Sequence, residues 1–228
     1  MTTFTTEDRL NAEPIPFMGV VDLSIEQGTD EWKKLRLGKV TASRVSDVMS
    51  KIKSGESASR RNYKMDLVVE RLTGLPTSSF TSPAMAWGVE NEKLARMAYE
   101  AFKGVFVNTV PFVQHPTIEW FGCSPDGLVA DGLMEIKCPN TANHIEYLLA
   151  GVPPAKYIPQ MQTQMACTGA KWCDFVSFDP RLPDELQLFV VRLNRDEAYI
   201  QEIEAEVKQF LEEVKQVYTQ LKERNNGH

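Results

Sequence analysis

Histidine is scarce in this 228-residue chain, with three in all, and the four cysteines (Cys123, Cys138, Cys167, Cys173) include no CxxC pair. Without paired cysteines or histidines at ligand spacing, neither a structural zinc site nor a disulfide framework is encoded, and the thiols read as buried groups of a reducing compartment. No apolar run reaches membrane-spanning length, and the N-terminus lacks the basic-then-apolar order of a secretory signal. The expectation is a cytoplasmic protein without a membrane role. Internal repeats and low-complexity tracts are also missing, which excludes solenoids.

Net positive charge is the other absence. The 25 Lys and Arg stand against 31 Asp and Glu, a formal charge of -6, which speaks against indiscriminate binding of a polyanion. The average hides an asymmetry. From Lys33 to Arg71 there are eleven basic residues against four acids, whereas Arg195 to Arg224 holds eight acids against five bases. This pattern predicts one basic and one acidic face, with an ordinary solvated helix as the plainer reading of the basic stretch.

At this length a single domain can bury a full core. Residues 1–25, with Pro14 and Pro16 and little periodicity, read as an N-terminal arm, and 26–228 as one domain. Asp30 is placed to cap a helix carrying Trp32 and Arg36, and Thr41 or Ser43 to cap another reaching Met49. A Ser/Gly/Lys-rich loop spans 50–59, followed by helical periodicity over 60–73 and from Pro83 to Phe102. From Val105 to Cys138 the period becomes two, predicting strands at Val105–Val107, Val110–Phe112 and Leu128–Ala130. Helices follow at Ala142–Leu149 and Lys156–Cys167, strands at Trp172–Phe178 and Leu186–Leu193, and a long amphipathic helix from Arg195 to Lys222. The fold class implied is α/β (α+β), a central mixed β-sheet flanked by helices.

The informative stretch runs from Ser124 to Lys137. Asp131-Gly132 between alternating segments is a strong signal for a two-residue type I′ hairpin. Such a turn sets Ala130 opposite Leu133, Leu128 opposite Glu135 and Asp126 opposite Lys137. Opposed residues share a sheet face, so Asp126, Glu135 and Lys137 project to one side, with the Asp126–Glu135 diagonal at roughly 7–8 Å between backbones. An even change in loop length preserves this parity and an odd one destroys it. Two carboxylates and a lysine on one face suit phosphodiester hydrolysis. Hard oxygen ligands hold Mg²⁺ while leaving water in its shell, and an ammonium can position the nucleophilic water or stabilise the charged phosphoryl oxygens. Residues this common also occur together as solvated charges beside a surface hairpin. Glu92, on a helical stripe with Gly88, Ala95 and Tyr99, can enter the same site as a third carboxylate, or lie with Glu90 on a wet helix face. Gln160, Gln162 and Gln164 share a helix on which some must face inward.

Taken together, Gln27 to Gly38, Thr41-Ala42-Ser43, Ala86-Trp87-Gly88 with Glu92, Ser124-Pro125-Asp126-Gly127, Glu135-Ile136-Lys137-Cys138-Pro139 and Gln160-Met161-Gln162 resemble the phage lambda exonuclease family. These are the viral-recombinase (YqaJ-type) alkaline exonucleases of the PD-(D/E)XK nuclease superfamily. The likeness runs in order from about Glu26 to Arg195 and implies a restriction-endonuclease-like core. It implies a processive 5′-to-3′ exonuclease that acts on linear double-stranded DNA and leaves 3′ single strands for recombination by annealing. By motif match, Asp126, Glu135, the Ile136 carbonyl and Glu92 would bind two Mg²⁺ ions, for which Mn²⁺ can substitute, and Lys137 would be the catalytic lysine. Arg36, Ser43, Ser124 and Gln160 would form a pocket for the 5′-phosphate. For Arg36 the chemistry concurs, since a planar guanidinium binds phosphate through two parallel hydrogen bonds. The family further implies a ring-shaped homotrimer and a single-strand annealing protein as partner. The same core also supports structure-specific or sequence-specific endonucleases, and a catalytically silent DNA-end-binding module is the remaining alternative.

Overall fold

In this computed structural model residues 23–77 and 82–225 are described, so the predicted arm falls outside them except for 23–25. Helix α1 (Asp30–Arg36) starts at Thr29, whose hydroxyl accepts from the Trp32 N–H. Asp30, expected as the cap, is instead the first helical residue, where its charge favours the positive end of the helix dipole. Strand β1 (Val40–Thr41) leads through a 3₁₀ turn, Ala42–Arg44, into the short α2 (Val45–Val48). Thr41 makes no side-chain capping bond there. Ser57 caps α3 (Ala58–Thr73), and Ser82 caps α4 (Pro83–Lys103), with Pro83 in its first turn. Then come β2 (Val113–Gln114), β3 (Phe121–Cys123), β4 (Gly127–Val129), β5 (Gly132–Lys137) and α5 (Thr141–Ala150). The chain continues through α6 (Ile158–Thr168), β6 (Trp172–Phe178), β7 (Leu188–Asn194) and α7 (Glu197–Asn225).

The strands form two mixed sheets rather than the single one expected. One has the order β1-β3-β2, with β1 parallel and β2 antiparallel to β3. The other has the order β4-β5-β6-β7, in which only β5 and β6 are parallel. The break lies where Val105–Val107 and Val110–Phe112 were predicted as strands. Only Asn108 bridges to Leu128 there. Pro111 has no N–H, and the carbonyls of Val110 and Pro111 accept from the Gln27 amide and the Trp32 indole, so side chains replace a strand partner.

Period-two alternation holds along β5 and decides which helix covers each face. Leu133 packs with Phe175, Met161 and Met165 beneath α6, while Met134 and Ile136 pack with Ala95 and Tyr99 of α4. Residues 161–168 of α6 are all buried, because that helix lies between the two sheets. A third cluster joins Val40, Phe121 and Leu67 to Val207, Phe210 and Val214 of α7. Among the described residues no helix is long and apolar enough to cross a membrane.

The packing of α3 on α7 overturns the expected separation of charge. Lys51 pairs with Glu206 at 2.6 Å, and Arg60 and Lys64 reach Glu213 at 2.7 and 3.0 Å. The acidic helix therefore neutralises part of the basic stretch directly. Opposite charges far apart in sequence meet because the apolar faces of these helices must.

Candidate active site

The hairpin turns one residue earlier than predicted. Val129 pairs with Gly132, which leaves Ala130-Asp131 as the turn, with Ala130 at φ +48°. Gly132 is required for space rather than for dihedral freedom: a Cβ there would lie 2.2 Å from the Trp172 ring. Asp131 is held by the Trp172 indole at 2.9 Å and by Lys171 at 3.0 Å. The pairing of Leu128 with Leu133, extended two residues, brings Asp126 opposite Glu135 instead of Lys137. Each opposed pair moves by two positions, so parity survives and Asp126, Glu135 and Lys137 still share a face.

Glu135 is 1% exposed and its charge is compensated from three sides. The Gln160 and Gln164 amides donate to its two oxygens, each at 2.6 Å, and the Lys137 ammonium donates to Oε1. Burying a carboxylate is tolerable only with such partners. The Ile136 N–H donates to Asp126 Oδ2 at 2.6 Å. Even so, burial and the nearby charge of Glu135 hold the Asp126 carboxyl well above the usual carboxylate range, with Lys137 opposing and Glu92 adding to the rise. For Lys137, burial would depress basicity, but Glu135 and Asp126 outweigh it and raise the ammonium above its ordinary value. Burial, reinforced by Glu92 and Asp126, pushes the adjacent Cys138 thiol up to about 12, so it stays neutral and is no nucleophile.

This arrangement fits a hard divalent cation. Two carboxylates that repel each other offer oxygen donors, with the backbone carbonyl of Ile136, next in the chain after Glu135, as a further candidate, and a cation between the carboxylates would relieve the strain on Asp126. Among the described residues no three His, Cys, Asp or Glu side chains gather as a ready metal cluster. Glu92 lies on α4, where its Oε1 accepts from Arg96 at 2.7 Å.

Linkage gives the sign of a testable effect. A carboxyl whose folded pKa lies above its unfolded one contributes its full stability below the unfolded value and loses it as pH rises through the folded value. Asp126→Asn keeps an acceptor for Ile136 and removes that penalty. In cation-free buffer at about pH 8 the variant is expected to melt higher, by about 2–4 °C for each ~1 kcal/mol relieved. The gap should close toward about pH 4, near the ordinary aspartate value. Thermal melts across that range that place the variant at or below wild type at about pH 8 would contradict the reading.

A second group gathers at Ser124, two residues before Asp126. Arg36 and Trp32, one helical turn apart on α1, stack at 4.3 Å. Arg36 Nη1 and Trp32 Nε1 both donate to Ser124 Oγ, at 2.8 and 3.1 Å. Gln27 ties α1's approach to Pro125 O at 3.0 Å. A hollow of about 160 Å³ opens here, lined in part by Arg36, Lys39, Thr41 and Arg44. Thus Arg36 and Ser124 are brought together, and Gln160 touches Glu135. Ser43 is exposed and bonds Thr41 at 3.3 Å; no hydrogen bond joins it to Arg36 or Ser124. Sequence reasoning missed Tyr157, whose ring stacks on Phe175 and lies 5.1 Å from the Lys137 ammonium, and Arg44 in the hollow. Neither carried a motif.

Residues 31–171 match the family model for the YqaJ-like viral recombinase domain. Two solved structures of LHK-Exo, an alkaline exonuclease from Laribacter hongkongensis, are 53% identical to this chain, covering 87% of it and 98% of theirs. The TM-score is 0.82 for the complex with dAMP and 0.81 for the other. A phage related exonuclease from Haemophilus somnus 129PT, 17% identical over 80% of this chain and 96% of that one, superposes with a TM-score of 0.64, a likeness of fold alone. No curated protein matches.

Proposed function

Given that the chain belongs to the YqaJ-like viral recombinase family, we propose that it is a Mg²⁺-dependent exonuclease digesting one strand of linear duplex DNA from the 5′ end. The observation that carries this reading is the shared face of Asp126, Glu135 and Lys137, together with a cationic hollow whose Arg36 bonds Ser124, two residues before Asp126. Mg²⁺ bound by Asp126, Glu135 and the Ile136 carbonyl, with Glu92 as a further ligand and Mn²⁺ as a substitute, would acidify water and neutralise phosphate charge. The protein supplies the rest. Gln160 and Gln164 fix the Glu135 carboxylate, and Lys137 remains an ammonium that orients water or meets charge on the phosphoryl oxygens. Arg36, with Ser124, suits a terminal phosphate, and a 5′-phosphate held there would give 5′-to-3′ polarity. By the family pattern Ser43 and Gln160 would complete the proposed pocket, Gln160 by turning its amide from Glu135 and Ser43 from Thr41.

A homotrimeric ring around DNA would give processivity by topology. Its support is the apolar surface left exposed on α4, where Met85, Val89, Met97 and Phe102 face solvent. The 3′ strand left behind would serve recombination through a single-strand annealing protein partner.

Arg36→Ala is expected to reduce the preference for a 5′-phosphorylated over a 5′-hydroxyl end by about 10- to 100-fold, the worth of a charge-assisted hydrogen-bond pair. Competition between the two ends reads it, and an unchanged preference removes Arg36 from the pocket. The function itself is tested with a linear duplex labelled separately at each end and a closed circle as control. Early release of the 5′ label, only with Mg²⁺, and an intact circle are expected. Cleavage of the circle would make the chain an endonuclease, and DNA binding without any cleavage a silent end-binder.

A further inference from the structure

Away from the carboxylates, Trp120 is held at φ +63°, a conformation strained for a bulky side chain, yet it remains 37% exposed. The β1–β3 ladder imposes it, because the Val40 N–H donates to Trp120 O at 2.8 Å and Val40 pairs with Phe121. The indole lines a cavity of about 780 Å³ between the loop after α1, the end of α3 and α7. Over its ring, at 4.2 Å, lies the Arg71 guanidinium. Arg71 Nε donates to Gly38 O at 2.9 Å, and its buried Nη2 has no partner among the described residues. Lys39 is 5.9 Å from the same ring. With Lys34, Lys208 and Lys215 the cavity has five cations against Glu70, Glu119 and Glu212, an excess of two in a chain whose net charge is -6. Glu70 is already occupied by the Gly38 N–H at 2.8 Å.

A partly exposed indole in a cavity with an excess of cations suits a ligand with a flat ring and an anionic group. Leu37, Lys39 and Glu70 also line the Arg36 hollow, so the two cavities share a wall. Trp120 and Ser124 flank β3 on either side, about 13 Å apart along an extended strand. We propose that this cavity binds one nucleotide of single-stranded DNA, its base against Trp120 and its phosphate at Arg71 and Lys39. The choice of DNA rests on the nuclease reading. The lining residues shared with the Arg36 hollow favour a nucleic-acid strand over an acidic peptide.

The test uses the full chain in EDTA and the fluorescence anisotropy of a labelled dT oligomer of about 12 nucleotides. Trp120→Ala is expected to weaken binding about tenfold, the scale of one base–aromatic stack, and Trp120→Phe to retain most of it. Lys39→Gln should lower the slope of log affinity against log salt by about 0.7, the share of the one phosphate it helps to neutralise. Circular dichroism checks that Trp120→Ala folds, and if it does not, the salt slope decides. Wild-type affinity in folded Trp120→Ala, or an unchanged slope, would overturn the proposal, as would displacement of the oligomer by an equimolar acidic, tryptophan-bearing peptide. Mg²⁺-dependent digestion of a duplex is scored separately. Its absence would remove the nuclease reading and leave the anisotropy result to stand alone.

Discussion

Asp126→Ala and Glu135→Ala are each expected to lower Mg²⁺-dependent nucleotide release by about 10³-fold or more, equivalent to ~4 kcal/mol of transition-state stabilisation. Duplex binding without cleavage should change little, because these carboxylates repel phosphate, and the cationic hollow around Arg36 supplies the attraction. The two variants differ in a useful way. Asp126 is raised in pKa by its surroundings, so removing it relieves the free protein. Removing Glu135 instead strands the Gln160 and Gln164 amides and the Lys137 ammonium that converge on it, a loss of about 3–5 kcal/mol for an uncompensated buried charge. Single-turnover cleavage beside thermal melts separates the effects: Asp126→Asn, which keeps the acceptor for the Ile136 N–H, should be inactive but at least as stable as wild type, Glu135→Ala inactive and less stable. An Asp126→Ala protein that cleaves at wild-type rate would refute the site.

Lys137→Ala should cost about 10²–10³ in cleavage rate, the usual loss when one donor aimed at developing charge is removed. Its ammonium is raised above the ordinary lysine value by Glu135 and Asp126, so it acts as a fixed cation and not as a base. The same field sets the pH dependence. Against the combined upward push of burial, Glu135 and Glu92, the Asp126 carboxyl is lowered most by Lys137 and further by the Ile136 N–H. Without it Asp126 should bind its proton more tightly still, and the rise of activity with pH should move to more alkaline values. A pH–rate profile measures both effects. Activity within tenfold of wild type and an unmoved acidic limb would remove Lys137 from the chemistry.

The site was more legible in the sequence than the sheet around it. A period of two survives any even slip in register, which is why Asp126, Glu135 and Lys137 could be placed on one face although the turn was set one residue too late. The misplacement came from reading Gly132 as a positive-φ residue, when its role is to leave room for Trp172, forty positions on. Strand β6 was bounded correctly because its alternation is buried on both faces. The segment Val105–Phe112 alternates equally well but has no strand partner beyond one bridge among the described residues, and its Val110 and Pro111 carbonyls are taken by Gln27 and Trp32, far away in sequence. Long-range pairing misled the charge reading too. Glu213 neutralises Arg60 and Lys64 only once α3 and α7 pack, and composition carries no trace of that contact. Gln164 was visible as one of three alternating glutamines, but its clamp on Glu135 depends on the burial of α6 between two sheets.

The central claim is that the Asp126 and Glu135 carboxylates share a divalent cation on the face that also bears Lys137. Anomalous diffraction from crystals soaked in Mn²⁺ tests it most directly. A manganese peak within bonding distance of an oxygen from each carboxylate and of the Ile136 carbonyl is the predicted result. A peak elsewhere, with these carboxylates still bonded only to Gln160, Gln164, Lys137 and the Ile136 N–H in a crystal that cleaves DNA, would contradict it.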